Sequence, residues 1–309
     1  MTEPGAPVPS DLVQPDPWPA VSVVVPVRNA AARIGPCIEA LLGQDYPGPA
    51  PELLAVDNGS TDRTAAVLGG FAGRIVRLDE PRRGAAAARN AGIRRASRDW
   101  IAFTDADCVP RPGWLRGLLA AAGREPRAAL VGGRILALEP TNDIGRFAAS
   151  LFDQRQAIEA DHPPYVISAN LLARRADLLR FGLFDPAYLR GQDAELAWRA
   201  HFRHGAAFAY APEAVVEHAN VSCLGGLWRK GLQHGRGSAR LWRDYRAELG
   251  RSPWGRVRRT GPYRDALVET LALLGGPRGD PPDRAAFYGA VFRLARHLAF
   301  CRGTLIPED

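Results

Sequence analysis

A mostly parallel α/β sheet flanked by helices, with a helical C-terminal extension, is the fold class this sequence predicts, and three observations carry the expectation. From Val21 to Phe103, short β-branched or apolar runs alternate with stretches of helical period, the pattern of parallel strands joined by crossover helices. The run Trp100-Ile101-Ala102-Phe103 leads straight into Asp105-Ala106-Asp107. Two carboxylates one residue apart therefore fall at the C-terminal end of a buried strand, where open α/β sheets bind ligands. Beyond Gly225 the alternation stops, and the chain reads as helices divided at Ser252-Pro253 and from Gly275 to Pro282.

The elements follow in order. Val21–Val27 is a buried strand, and Ala30–Leu42 carries Ile34, Ile38, Leu41 and Leu42 at helical spacing. Gln44 to Gly48 ends that helix with turn residues. Glu52–Val56 is the second strand and runs into Asp57-Asn58-Gly59-Ser60-Thr61-Asp62. Ser60 or Thr61 is expected to cap the next helix, whose free N–H groups suit an anion. Arg74–Leu78 is the third strand, Gly84–Ala96 a helix of small residues able to pack close to the sheet, and Trp100–Phe103 the fourth strand. Later come a helix at Trp114–Ala122, a strand at Ala129–Leu138 broken by Gly132-Gly133, a helix at Ile144–Ala160 and a strand at Val166–Ala173. A helix from Gly191 to about Arg203, and short strands at Ala206–Tyr210 and Ala214–Glu217 before His218, complete the domain. This divides the chain into a Pro-rich leader at 1–20, a domain at 21–222 with halves 21–110 and 111–222, and an extension at 223–309.

The 309 residues give ample length for a core. No apolar run approaches the roughly 18 residues of a membrane span, and no charged-then-apolar N-terminus marks a secretory signal. Cys37, Cys108, Cys223 and Cys301 lie far apart without a Cys-x-x-Cys pair, so neither zinc nor a disulfide framework is expected and a reducing cytoplasm fits. The net charge of +7 is uneven. Ser222–Arg302 holds 16 Lys/Arg against 6 Asp/Glu, an excess of ten, which leaves −3 for the remainder. Such a segment calls for an anionic partner: phosphates, an acidic membrane surface or nucleic acid. Lys230 is the one lysine in the chain.

Asp105 and Asp107 are open to two readings. Asp is common in turns and caps for local reasons. Hard cations such as Mg²⁺ or Mn²⁺ take carboxylate and phosphate oxygens, which points instead to a metal meeting a phosphorylated substrate. The remaining motifs bear on the choice. Pro26 and Asn29 end the first strand, and Gln44-Asp45-Tyr46-Pro47 follows. Then come Asp57 to Asp62, Arg83-Gly84 with Ala88-Arg89-Asn90, and Asp105-Ala106-Asp107. Ser168-Ala169-Asn170 with Arg174-Arg175, Phe184-Asp185, Gly191-Gln192-Asp193 with Arg199, and Val215-Val216-Glu217-His218 complete the series. Together, from Val21 to about Leu241, they resemble the family 2 glycosyltransferases, inverting enzymes that use nucleotide sugars and have the GT-A fold.

The resemblance implies roles. Asp193 would be the general base, since an acceptor hydroxyl must lose its proton as it attacks the anomeric carbon; as a helix N-cap it could serve both purposes. Asp107 would bind a divalent metal, Mn²⁺ or Mg²⁺, and the diphosphate, with Asp105 nearer the ribose or behind the metal. His218 would complete the metal shell or touch the diphosphate. Asp57 would accept from the base, most simply uracil N3–H, with Asn58 beside it. Pro26, Arg28 and Asn29 would line the nucleotide pocket, and Arg83, Arg89 and Asn90 form the family's next donor-binding element. Asn170 and Gln192 would meet the acceptor or donor sugar, and Arg199 would brace the Asp193 loop. Arg229 and Arg236 would close on the diphosphate, as Arg forks match phosphate, or else belong to a solvated basic face. Two positions depart from the family pattern: Ala30 and Gln192 stand where acidic residues are usual, and the second removes a negative charge beside Asp193.

The last predicted helix, Asp283–Arg302, places Phe287, Val291, Leu294 and Leu298 on one face with Arg284, Arg293, Arg296 and Arg302 among the other positions. Such a helix packs on its own domain or lies on an anionic membrane. The expected partners are a nucleotide-sugar donor, with UDP favoured and GDP or dTDP open, and a glycan or lipid-linked glycan acceptor of cell-envelope polysaccharide synthesis. The expected location is the cytoplasm or the inner face of the plasma membrane. A nucleotidyltransferase of similar fold would want a Gly-rich, Lys-bearing loop after the first strand, and Pro26-Val27-Arg28-Asn29 is not one. A non-catalytic anion- or nucleic-acid-binding protein would use the basic tail, but that tail lacks nucleic-acid motifs and aromatic interleaving, so no nucleic acid is expected.

Overall fold

A computed structural model describes residues 17–139, 141–159, 163–249 and 281–305. The predicted leader through residue 16 and the predicted breaks between residues 250 and 280 lie outside these residues. The strands are β1 (Val21–Val27), β2 (Glu52–Asp57), β3 (Val76–Asp79), β4 (Trp100–Thr104), β5 (Cys108–Pro110), β6 (Ala128–Ala137), β7 (Asn170–Arg174) and β8 (Ala207–His218). The helices are α1 (Ile34–Leu42), α2 (Thr64–Gly69), α3 (Ala85–Arg95), α4 (Trp114–Arg124), α5 (Asp143–Ser150), α6 (Gln154–Glu159), α7 (Arg175–Arg180), α8 (Gln192–His204), α9 (Leu224–Asp244) and α10 (Pro281–Leu305).

The strands form one sheet in the order β3-β2-β1-β4-β7-β6-β8-β5. Its first half is wholly parallel: β1 pairs with β2 and β4, and β2 with β3. The second half is mixed. β7 runs antiparallel to β4 and β6, β5 antiparallel to β8, and β6 parallel to β8. The sheet separates two apolar layers, one built on Ile34, Ile38, Leu41, Trp114 and Leu118, the other on Ile93, Phe103, Phe181, Phe184 and Leu196. The small-residue helix α3 lies close on β1: a Cβ at Gly92 would collide with the Val24 side chain.

The crevice opens where β1 and β4 part. Their last paired residues are Val24 and Phe103, and the strand order reverses direction between them, the place where open sheets bind ligands. Pro26 lies past that last pair, so its missing N–H breaks no bond to β4.

Several elements differ from the sequence expectation for local reasons. The helix predicted from Ala30 begins at Ile34, because Ala30 N donates to Thr64 Oγ1 (2.8 Å) and Ala31 N to Asp62 Oδ2 (3.2 Å), holding the chain in a turn. Neither Ser60 nor Thr61 caps α2. Asp62 Oδ1 instead accepts from Thr64 N at 2.9 Å. The single helix predicted over 144–160 is two, and Asp153 Oδ1 starts the second by accepting from Gln156 N at 3.0 Å. The strand predicted from Val166 begins at Asn170, because Gln154 occupies the preceding backbone, accepting from Ile167 N (2.7 Å) and donating to Asn170 O (2.9 Å). The two short strands before His218 are one strand, β8, with a register shift opposite Gly133 and Arg134.

The C-terminal helices pack on each other. A Cβ on Gly231 would meet Phe292 O at 2.6 Å and Ala295 Cβ at 2.8 Å, and one on Gly235 would meet Ala299 Cβ at 2.8 Å. The contacts Gly231–Ala295, Gly235–Ala299 and Ala239–Gly303 advance together, so α9 and α10 run parallel at close range. The buried face of α10 is therefore Tyr288, Val291, Phe292, Ala295 and Ala299. The predicted apolar stripe is rotated from this face, and Leu298 is 52% exposed. The predicted break reaching Pro282 stops short of it, since α10 begins at Pro281, where a first-turn proline costs no helical bond. Among the described residues no helix is long and apolar enough to cross a membrane.

Candidate active site

Asp105 and Asp107 lie in the turn between β4 and β5. β5 then pairs antiparallel with the end of β8, setting Cys108 opposite His218, and Ala219 N donates to Asp107 O at 2.9 Å. This pairing brings His218 Nε2 to 3.8 Å from Asp107 Oδ1 although the residues are distant in sequence. Asp107, Cys108 and His218 place potential ligand atoms within 4.8 Å of one another. Crowding of the cleft raises the Asp107 carboxyl above its usual range, His218 pulls it down and Asp105 raises it further. A divalent cation would relieve such an arrangement. Burial pushes the Cys108 thiol well up, and Mn²⁺ and Mg²⁺ favour oxygen and imidazole over thiol, so Asp107 and His218 are the pair that fits a metal.

Asn220 prepares His218 for that role. Its amide nitrogen donates to His218 O at 2.9 Å, which turns its Oδ1 to His218 Nδ1 at 3.2 Å. The tautomer consistent with this network carries the proton on Nδ1 and leaves the Nε2 lone pair toward Asp107. Phe152 stacks on the imidazole at 4.5 Å between centroids.

Asp193 sits in the first turn of α8, two residues after Gly191, which takes φ +75 and admits Leu241 at 3.2 Å from where a Cβ would be. The half-buried carboxylate accepts from Ala194 N (3.0 Å) and Ser168 N (3.3 Å). Among the described residues it has no ion-pair partner. Gly191 is the N-cap and no side chain caps the helix.

Arg89 links the two acidic motifs. It is 2% exposed and donates from Nη2 to Asp105 Oδ1 at 2.6 Å. With the Gln192 amide turned to satisfy both neighbours, Gln192 accepts from Arg89 Nη1 at 2.8 Å and donates to Tyr188 O at 3.1 Å. The neutral residue at 192 thus receives the second arm of a guanidinium whose first arm holds Asp105. Behind α8, Arg199 grips Glu195 with two bonds of 2.8 and 2.7 Å and reaches the carbonyls of Phe181 and Leu183, while Tyr245 donates to Glu195 at 2.9 Å. A cavity of about 530 Å³ lies on this far side, lined by Asn90, Arg94, Phe184, Glu195, Arg199 and Tyr245 among others, and none of Asp105, Asp107 and Asp193 lines it.

Other predicted site residues are placed as follows. Asp57 ends β2, is 4% exposed, accepts from Ser60 N at 2.9 Å and lies 3.5 Å from Arg77. Arg28 donates to Asn58 O at 3.0 Å. Asn29, at φ 49, ties the first two strand-end loops by donating to Ser60 Oγ (3.0 Å) and accepting from Thr61 N (2.7 Å). Arg83 is exposed at the lip of α3. Three other predicted site residues are buried and bonded to protein groups. Asn58 donates to Glu80 O and Arg82 O and accepts from Gly84 N. Asn90 bonds both backbone groups of Phe184. Asn170 accepts from Trp114 Nε1 and donates to Arg134 O and Ala214 O.

On α9, Arg229 and Arg236 are exposed. Lys230, between them in the turn, is the residue that faces the acidic cluster. Its ammonium stands 3.8 Å over the Phe152 ring, the ring that stacks on His218. Burial lowers it to about 8, against the upward pull of Asp107. Arg190 interacts at a distance with both Asp105 and Asp193. Sequence reasoning missed Lys230, Arg190 and Asn220. Lys230 did carry a signal, being the one lysine among 40 basic residues.

The model for "Glycosyl transferase family 2" matches residues 22–182. The chain belongs to glycosyltransferase family 2. It is 30% identical over 239 residues to glycosyltransferase AglE of Haloferax volcanii, covering 75% of this chain and 77% of that protein. It is 36% identical over 207 residues to the pre-mycofactocin glycosyltransferase of Mycobacterium tuberculosis, covering 64% of this chain and spanning only 42% of that relative's length. In fold, this family 2 chain is similar to the mannosyltransferase PcManGT of Pyrobaculum calidifontis, solved with GDP-Man and Mn²⁺, with a TM-score of 0.66 at 19% identity over 98% of this chain and 92% of the other. It is also similar to glucosyl-3-phosphoglycerate synthase of M. tuberculosis, solved with Mn²⁺, UDP and phosphoglyceric acid, with a TM-score of 0.53 at 24% identity over 74% of this chain and 78% of the other. Both are GT-A glycosyltransferases, and the fold class predicted from the sequence holds, with a sheet more mixed than expected.

Proposed function

We propose that the protein is an inverting glycosyltransferase that moves a sugar from a nucleotide-diphosphate donor to an acceptor hydroxyl, with Asp193 as general base. The observation that carries this reading is the Arg89 bridge: one buried guanidinium joins Asp105 to Gln192, so the carboxylates suited to the donor and the carboxylate suited to the acceptor flank a single cleft. The nucleotide would lie in the β1–β4 crevice, with Asp57 below the base and Pro26 and Arg28 along the pocket wall. Asp107 and His218 would hold Mn²⁺ or Mg²⁺, which when bound supplies Lewis-acid stabilisation of the leaving diphosphate. Lys230 would add a positive charge on the same side. Asp193, with no ion-pair partner among the described residues, would take the acceptor proton as the hydroxyl attacks from the opposite face of the sugar, and that single displacement inverts the anomeric centre. UDP is the favoured donor base, and a glycan or lipid-linked glycan the favoured acceptor. The solved neighbours carry GDP-Man in one case and UDP in the other, in keeping with a cleft that serves either base.

Asp193→Asn tests the assignment. Loss of the base should lower turnover of the donor by about 10²–10⁴-fold, read as release of nucleoside diphosphate, with nucleotide affinity held within about twofold, since no nucleotide contact is assigned to Asp193. Equal loss of nucleotide binding would make Asp193 a scaffold residue instead.

A further inference from the structure

The positive charge of the cleft extends past the place where a diphosphate needs it. Along α9, Lys230, His234 and Ser238 recur every four residues and so form one stripe. Its first member, Lys230, reaches the Phe152–His218 end beside Asp107. Its last, Ser238, accepts from Arg296 of α10 at 3.4 Å. Between them, the His234 ring packs on Phe292 of α10 at 5.5 Å. One residue before Ser238, a Cβ on Gly237 would meet Arg190 O at 3.0 Å, so the backbone of α9 rests on the loop that leads into Asp193. The stripe thus runs from the metal end of the cleft to the base, about 12 Å at 1.5 Å per residue.

At the base end stand Arg190 and Arg296. Arg190 interacts at a distance with Asp105 and Asp193. Among the described residues, however, its guanidinium makes no hydrogen bond or ion pair. Among the described residues Arg296 makes the long bond to Ser238, and it lies near Tyr165, which itself lies near Asp193. Both side chains are exposed, and among the described residues neither pairs with a carboxylate. His234 senses the same field: burial first, then Lys230, Arg296 and Arg190, hold its imidazole down to about 4. Arg190 and Arg296 therefore meet at neighbouring residues of α9, Arg190 against Gly237 and Arg296 on Ser238, beside the loop that leads into Asp193. A neutral acceptor would leave these two guanidinium groups without an anionic partner, whereas an anionic one would supply it through charge-assisted hydrogen bonds.

We propose that the acceptor carries a phosphate group close to the hydroxyl that is glycosylated, held by Arg190 and Arg296 beside Asp193. This rests on the reading of Asp193 as the base. The same chemistry is available from a soluble phosphorylated polyol or from a phospholipid headgroup.

The test uses the full chain saturated with Mn²⁺ and whichever of UDP or GDP binds, so that the donor's phosphate positions are filled. sn-Glycerol 3-phosphate and glycerol are then titrated by calorimetry. The phosphate ester should bind at least about 10-fold more tightly than glycerol, as expected for a charge-assisted contact. Arg190→Gln and Arg296→Gln should each remove about that factor, while leaving nucleotide affinity within about twofold. Arg190→Lys should recover part of it, with thermal melts confirming that each variant folds. A parallel arm measures binding to phosphatidylglycerol and phosphatidylcholine vesicles. Binding of the soluble ester identifies a soluble source, and binding to phosphatidylglycerol alone, weakened by both substitutions, identifies a lipid source; either supports the proposal. Nucleotide binding with no preference for the phosphate ester, and vesicle binding indifferent to both substitutions, would overturn it while leaving the transferase reading intact. Failure of every nucleotide to bind would overturn both.

Discussion

On the β1–β4 side of the cleft, Asn29, Asn58, Asn90 and Arg89 are all engaged by protein groups, whereas on the α8–α9 side Arg190 and Lys230 make no hydrogen bond or ion pair among the described residues. The first wall is a parallel sheet whose polar residues tie loop to loop and leave mainly carboxylates, Asp105 and Asp107, turned to the cleft. The second is built on a helix outside the residues that the family model matches, and it supplies cations. On the proposed reading, such a cleft would hold its donor pocket rigid through the first wall and neutralise phosphate through the second. Arg89 and Lys230 stand for the two strategies: a buried guanidinium whose partners are both on the protein, and an ammonium whose partner is still to arrive.

That contrast can be broken first at Arg89. Arg89→Ala leaves Asp105 without its partner and Gln192 without its donor, and should cost about 3 kcal/mol of stability, measured by urea denaturation. Arg89→Lys should recover little of this, because one ammonium cannot serve both neighbours as a fork does. If stability were unchanged, the bridge would have no scaffolding role.

A smaller effect is expected at Asn220, whose work is to orient His218. Asn220→Ala should weaken Mn²⁺-dependent nucleotide binding by about 10- to 100-fold, the usual range for the partner of a metal-ligating histidine. Unaltered metal dependence in calorimetry would remove Asn220 from the site.

Lys230→Met keeps the apolar stem over Phe152 and removes the charge. Nucleoside diphosphate affinity should fall about 10-fold with little change in stability, the opposite signature to Arg89→Ala. Because burial lowers Lys230 to about 8, the native protein should lose nucleotide affinity as pH rises above that value, and the variant should not show this loss.

The smallest effect concerns His234. Its imidazole is held down to about 4 from an ordinary 6.5, so between these values the unfolded chain binds more protons than the folded one. Stability should therefore be complete above about pH 6.5 and decline as pH falls toward 4. Melting temperatures of His234→Gln across that window should fall less steeply than those of the native protein; parallel curves would contradict the placement of His234 among cations.

The parallel wall was largely legible from the amino-acid sequence, because β-branched runs and helical spacing report directly on buried strands and crossover helices. Its junction with the second half was less so. Nothing in Asn170–Arg174 announces that this strand runs antiparallel to β4, since strand direction is decided by distant pairing and not by local pattern. Polar residues are ambiguous for a related reason: Asn58, Asn90 and Asn170 have the chemistry to bind a ligand, and the same chemistry satisfies buried backbone groups here. On α9, neighbouring positions point about 100° apart, so Arg229 and Lys230 could not be ranked without the helix's orientation. On α10, apolar spacing pointed to a face rotated from the buried one, with Val291 common to both, because Gly231 and Gly235 let alanines make the closest approach.

The central claim is that Asp107 and His218 form a metal-dependent nucleotide site in the β1–β4 crevice. Calorimetric titration of UDP and GDP into the native protein and into Asp107→Ala, each with Mn²⁺ and then with EDTA, tests it most directly. The account predicts that at least one nucleotide binds the native protein with Mn²⁺, that EDTA abolishes the binding, and that Asp107→Ala folds but does not bind. Binding that survives both EDTA and the substitution would contradict it.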